Sequence, residues 1–480
     1  MLQRLIGKPA TKEAVKLFHD GAIALAQLEH NGIKIDRRYL EKKIIETDKR
    51  TKELKAKLQK DPIYKKTWQK RFGHKTDIAN RNQLGVVLFE EMGYEYPTHL
   101  LSHRDVEEAE ASKVKRRKCS EAILSSIDLP FVRDFIEMQG LAKDSDTFLK
   151  GILKELPADD CLRSFYNLNI PISFRSSSDT PDFQNFPTRD PASGKLIRTA
   201  FIPRKGRVLV EIDMKGAEVR VGYCHHKDPT MRKYLLDETT DMHRDMASQC
   251  YMIPADQVSK QARYSAKNQF VFAEFYGSYY LDCAKAMWDF AKKMKLATVD
   301  GVPLFEALAK KGIKELGACI PSQKPVRGTF EYHIQEVEKD FWGRRFKTYA
   351  AWKDSWYKQY LKVGYFQMKT GFVVAGSFNK KQVVNFPIQG ASFHCLLWAL
   401  VELQKWLNRG KMRSLIVGQI HDSILLDCTE EELEEVIAMA VYIMTDKLPQ
   451  TWKWICIPME VEVETSKTNW HEKKEYKIAA

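Results

Sequence analysis

Residues 414–428, SLIVGQIHDSILLDC, constrain this chain more than any other stretch. Two apolar runs alternate like strands on either side of a tight turn at Gln419–Ser423, which predicts a β-hairpin. A second run, RVLVEID (207–213), reads as a buried strand ending on Asp213, and MKGAEVRVGYCHH then starts a helix. Asp213 thus ends one strand and Asp422 sits in the turn of the hairpin. Alone, either acid is equally well read as a helix cap or turn former. Together they place carboxylates at the exposed tips of what read as neighbouring strands. Such a pair can bridge two Mg²⁺ ions for in-line phosphoryl transfer, because magnesium prefers oxygen ligands and keeps several waters.

The rest of the chain reads mostly as helix. Residues 13–60 form two helices about the Asn31-Gly32 turn, 233–365 are mainly helical, and 396–407 form an amphipathic helix. With 480 residues the chain can bury a large core and divide into two to four domains or subdomains. Its net charge of +14 favours a polyanionic partner, nucleic acid first, although solubility explains such a charge equally well. The run Lys113–Lys118 (KVKRRK) either grips phosphates or is a solvated helix face. Nine cysteines without a CxxC pair fit a reducing compartment, and Cys224-His225-His226 reads as structural rather than metal-binding. The N-terminus has no signal-peptide core, and no run approaches the ~20 apolar residues of a membrane span. A cytoplasmic protein with no membrane partner is expected, in the host cytoplasm if the chain is viral.

The stretch QARYSAKNQFVFAEFYGSYY (261–280) carries cations and aromatics together. Arg263 and Lys267 lie one helical turn apart and share a face, and Phe270, Phe272, Phe275, Tyr276, Tyr279 and Tyr280 crowd the residues beyond. Cations beside an apolar stacking surface suit a nucleoside triphosphate, with charge for the phosphates and rings for the base. His243 begins another helix, with Asp241 as its expected N-cap.

On these residues the chain resembles family A DNA polymerases, the bacterial DNA polymerase I type that is also common in phages. The matches run in order over most of the length: LEHNGIKID, NRNQLGVVLFEE and LAKDSDTFL near the N-terminus, then RSSSDTPDFQNFPTR with LIRTAFIP. DMKGAEVR (213–220), RYSAKNQFVFAEFYG (263–277), VNFPIQG (384–390) and QIHDS (419–423) follow. The resemblance implies an α+β right-hand polymerase fold, with an antiparallel-sheet palm and mainly helical thumb and fingers. The thumb, with an N-terminal helix packed on the palm, would span 1–165 and the first part of the palm 166–232. The fingers would span 233–365, and the second part of the palm 366–480.

The implied activity is primer extension with dNTPs on a DNA template by two-metal phosphoryl transfer. Asp213 and Asp422 would hold two Mg²⁺ (or Mn²⁺) with the Met214 carbonyl as an extra ligand, and Lys267 would be the general acid. Arg263 and His243 would bind the outer phosphates, Glu218 would close off the sugar 2′ position, and Phe272, Tyr276 and Arg198 would lie at the nucleotide. Arg175, Asn185, Asn385, Gln389, His421 and Lys143 would contact primer–template DNA. The implied partners are primer–template DNA, dNTPs and a separate exonuclease or processivity factor, with the polymerase itself a monomer. A single-subunit RNA polymerase shares this palm logic, but Glu218 argues against it. A non-catalytic nucleic-acid-binding factor is opposed by the joint presence of Asp213, Asp422, Lys267 and Arg263.

The chain departs from the family pattern in several places. Ser423 stands where the family's Q-x-H-D-E motif has glutamate, which puts an accessory carboxylate in doubt. Gly216 and Ala217 replace larger residues and suggest a roomier nucleotide pocket. The thumb pattern begins almost at residue 1, so no proofreading domain is expected here: the polymerase does not proofread, its exonuclease is a separate polypeptide, or the chain is a trimmed piece. Residues 281–345 are an insertion that either enlarges the fingers or binds a partner. Finally, Phe272 and Tyr276 fall one residue late for the face set by Arg263 and Lys267. A π-bulge near Asn268–Phe270 would restore them, whereas a regular helix would present Val271 and Phe275.

Overall fold

The computed structural model describes residues 6–97, 119–188 and 190–477, and the basic run 113–118 lies outside the described residues. The chain forms two compact units. The first comprises Met1–Lys52, Gly140–Lys227 and Trp352–Ala480, and the second Glu53–Gln139 and Asp228–Ala351. The expected 1–165 segment is therefore divided: 1–52 and 140–165 join the unit that carries the main sheet, as do 352–365.

In the first unit a five-stranded sheet is built from β1 (Arg207–Met214), β2 (Leu415–Ile420), β3 (Ser423–Thr429), β4 (Val461–Ser466) and β5 (Lys474–Glu475). Its order is β5-β4-β1-β3-β2, and every neighbouring pair is antiparallel. The β2–β3 hairpin forms where the alternating pattern places it, but β3 is buried at every residue. The sheet is covered on both faces, which is why the solvent-facing alternation is lost. On one face Phe183, Phe186, Phe201, Leu209, Leu425 and Trp470 share a core cluster.

Against the sheet lies one continuous helix, Lys380–Arg409, started by a capping box between Asn379 and Gln382. It merges the VNFPIQG motif and the amphipathic 396–407 stretch into a single element. By length and composition it is long and apolar enough to cross a membrane, contrary to the sequence reading, but 83% of its most apolar window is buried inside the fold. It is a core helix. Pro387 sits within it and has no N–H to offer the Val383 carbonyl one turn back. That carbonyl accepts a hydrogen bond from the Trp356 indole N–H at 3.0 Å, so no buried acceptor is left unpaired. Three residues on, a Cβ at Gly390 would press on the Ser173 carbonyl and lie 2.7 Å from Met368 Sδ. Gly390→Ala is expected to destabilise the protein by about 1–3 kcal/mol, read as a lower urea midpoint, because backbone must move to admit the methyl group.

The second unit is helical. Within the 281–345 insertion, helices Tyr280–Lys293 and Phe330–Asp340 pack together, with the Trp288 ring 5.3 Å from Phe330. Phe330 also stacks on Tyr251 at 6.2 Å, and His333 Nε2 lies 3.0 Å from the Gln249 carbonyl. These helices extend the apolar core around helix Met242–Tyr251.

Candidate active site

Strand pairing brings the two aspartates together. Ser423 stands opposite Asp213 in the β1–β3 register, and the Met214 N–H donates to the Asp422 carbonyl at 3.0 Å. Asp422 therefore lies at the end of β1, in a turn where His421 adopts a positive φ of 50°. Burial pushes the Asp213 carboxyl up to about 7, with Asp422, Glu211 and Glu462 adding like-charge repulsion. Asp422 is pushed up to about 6, by burial first and then by Glu218, against the opposing pull of Arg175. Two half-buried carboxylates that resist joint ionisation suit an added divalent cation, whose charge would reverse both shifts. Among the described residues no group of three or more His, Cys, Asp or Glu gathers as a metal cluster. The paired carboxylates of Asp213 and Asp422 offer the oxygen ligands that a hard, water-keeping cation prefers, with the Met214 carbonyl expected nearby. In Cys224-His225-His226, His225 lies 5.5 Å from the Trp352 ring, and burial pushes both histidines down to about 3.

A network that no local pattern announced holds the turn. Gln184 Nε2 donates to Gln419 Oε1 at 2.6 Å and to Ser176 Oγ at 2.8 Å, while the Ser176 hydroxyl donates to Gln419 Oε1 at 2.6 Å. Gln419 Nε2 then donates to the His421 carbonyl at 2.9 Å, next to Asp422. The motif signalled Gln419, but its partner Gln184 lies 235 residues away along the chain.

The remaining expected residues of this unit divide. Arg175 pairs with Glu218 at 3.0 Å, and both act on the charge of Asp422. Arg175, Asn185 and His421 line one cavity of about 350 Å³, with Asn185 donating to Asp182 at 2.6 Å. Asn385 is buried and Gln389 half-buried on the long helix. Lys143 is exposed, with its ammonium 5.8 Å from the Phe148 ring centroid. Arg198, expected at the nucleotide, is half-buried in this unit. Its guanidinium lies 3.9 Å from the Trp470 ring centroid, its Nε donates to the Pro187 carbonyl, and burial lowers its pKa. A cation over an indole face gains a cation–π attraction.

In the second unit the cationic segment has the expected irregularity. An α-helix spans Lys260–Ser265, a π-turn Ala266–Val271 and a further α-turn Phe272–Phe275. The Phe272 N–H reaches back five residues to the Lys267 carbonyl, which absorbs the extra residue. Val271 is fully buried, while Phe272 meets the Lys267 ammonium at 5.4 Å and the His243 ring at 5.5 Å. Tyr276 follows, 6.4 Å from Phe272. Asp241 caps His243 and Arg244 as expected, and its carboxylate also holds Arg263 Nε at 2.6 Å. Burial, then the Arg263 and Lys267 cations, push His243 down to about 4, so its imidazole is neutral at pH 7. Its buried Nδ1 has no hydrogen-bond partner.

The family model for DNA polymerase family A matches residues 46–292 and 359–472. The DNA polymerase of Bacillus phage SP01 is 25% identical over 417 residues, which are 83% of this chain and 40% of that protein. DNA polymerase I of Lactococcus lactis subsp. cremoris is 26% identical over 465 residues, 94% of this chain and 45% of that protein. The thermostable DNA polymerase I of Thermus aquaticus is 25% identical over 442 residues, covering 92% and 46%. The chain spans less than half the length of these relatives. In fold it resembles the POL domain of Pol1 from M. smegmatis, solved with DNA primer-template and dNTP, at a TM-score of 0.70 and 20% identity. That match covers 95% of this chain and 70% of the other. With three quarters of its length matched in order and the paired aspartates at adjacent strand ends, the chain belongs to DNA polymerase family A.

Proposed function

We propose that this protein is a DNA-dependent DNA polymerase that extends a primer 3′ end with dNTPs, using two Mg²⁺ ions. The observation that carries this reading is the Asp213–Asp422 pair, fixed at adjacent strand ends by the β1–β3 register. Asp213 and Asp422 would hold the divalent cations, which would supply the charge that lowers the pKa of the primer 3′-hydroxyl and offsets that of the triphosphate. Gln419 keeps the Asp422 turn in place through its bond to the His421 carbonyl. Glu218, oriented by Arg175, excludes a 2′-hydroxyl and so favours deoxyribonucleotides. Arg263, aimed by Asp241, and His243 bind the outer phosphates of the incoming nucleotide. Phe272 and Tyr276 offer stacking faces to its base. Lys267 Nζ holds the proton that passes to the departing pyrophosphate oxygen. Arg175, Asn185, Asn385, Gln389, His421 and Lys143 contact the primer–template.

The test is primer extension with dNTPs in Mg²⁺ and in EDTA, alongside a binding assay on the same primer–template. Extension in Mg²⁺ and none in EDTA is expected. Binding without extension in either Mg²⁺ or Mn²⁺ would leave a nucleic-acid-binding factor as the better reading.

A further inference from the structure

We propose that Glu211 supplies the accessory carboxylate of the catalytic face, in place of the glutamate that Ser423 replaces. The proposal rests on the polymerase reading and assigns a positioning role within that site. Glu211 and Asp213 are two residues apart on β1, so their side chains leave the same face of the sheet. In the adjoining strand Ser423 pairs with Asp213 and Leu425 with Glu211. The Ser423 hydroxyl lies 2.9 Å from Glu211 Oε1 and 3.0 Å from the Ile420 carbonyl, and has one hydrogen to share between them. The Glu211 carboxylate therefore lies against the side-chain position where a glutamate at 423 would start. A short serine leaves the space, and a longer acid from the next strand enters it.

The surroundings hold that carboxylate in place. Its second oxygen accepts from the Trp470 indole N–H at 2.8 Å and pairs with Lys473. Lys473 also bonds Glu464 at 2.7 Å, and Arg198 is a further nearby cation. A negative charge fixed beside Asp213 strengthens the pull of the face on a divalent cation, and Lys473 limits its cost when no cation is there.

The test moves the carboxylate across the strand pair. Glu211→Gln is expected to lower kcat and Mn²⁺ affinity of the DNA-free protein, read by calorimetry, each by about 10–100-fold. Primer–template affinity should not change. The double variant Glu211→Ser with Ser423→Glu should recover most of both losses, and Ser423→Glu alone should not improve on the wild type. Thermal melts check folding. If Glu211→Gln fails to fold, Glu211→Gln with Lys473→Met removes both charges and should show the same two losses. Wild-type kcat and Mn²⁺ affinity in a folded Glu211→Gln protein, or a double variant no better than Glu211→Gln, would overturn the proposal. A wild type that binds Mn²⁺ but never extends primers would overturn the polymerase reading instead, and the Mn²⁺ titrations would still decide the place of Glu211.

Discussion

Asp213→Asn is expected to reduce primer extension by roughly 10³-fold or more, the loss of one anionic ligand from a two-cation site. The same substitution should stabilise the chelated protein. Asp213 is half-buried and faces the like charges of Asp422, Glu211 and Glu462, which push its carboxyl up to about 7. In the unfolded chain the group loses its proton near 3.8. The folded state therefore binds the extra proton between these values, and metal-free stability falls as pH rises from about 4 through 7. Asparagine removes that contribution, with a gain on the order of 1–3 kcal/mol at pH 8. Thermal melts in EDTA at pH 5 and pH 8 check this. The variant should gain more over the wild type at pH 8 than at pH 5, while Asp422, pushed up to about 6, keeps part of the slope in both proteins. Equal gains at the two pH values would reject the electrostatic account, and retained extension would reject Asp213 as a ligand.

Lys267→Ala should lower kcat by about 10²–10⁴-fold, the usual contribution of a positioned general acid, and leave primer–template binding intact. The geometry separates this effect from simple base stacking. The Lys267 ammonium lies 5.4 Å from the Phe272 ring centroid, so Phe272→Ala removes the stacking face while leaving the cation. Phe272→Ala should mainly raise the dNTP KM, by a factor equivalent to about 1–3 kcal/mol of stacking. Single-nucleotide incorporation over a dNTP titration distinguishes the two outcomes. A Lys267→Ala protein that changes only KM would make the lysine a binding group rather than the proton donor.

The π-turn at 266–271 shows how far local pattern reaches. One residue too many between Lys267 and Phe272 was visible as a spacing error, and a five-residue backbone hydrogen bond was its cheapest remedy. The Asp241 cap was legible for the same reason, since a cap acts over two or three residues. Arg198 was not legible. Its motif position pointed to the nucleotide, and no local pattern announced that its guanidinium stacks on Trp470, 272 positions later. The 380–409 helix was legible only in pieces, because Pro387 reads as a break until a distant indole satisfies the carbonyl that proline leaves unpaired.

By itself the sequence determined the strand and turn that carry Asp213 and Asp422, the shared face of Arg263 and Lys267, and the family to which their order belongs. These follow from periodicities and caps that act over a few residues. Tertiary structure alone decided that Gln184 braces Gln419, that Glu211 meets Ser423, and that Arg198 stacks on Trp470. Each of those contacts joins residues more than 200 positions apart, where strand register and core packing choose the partner and no local pattern records it.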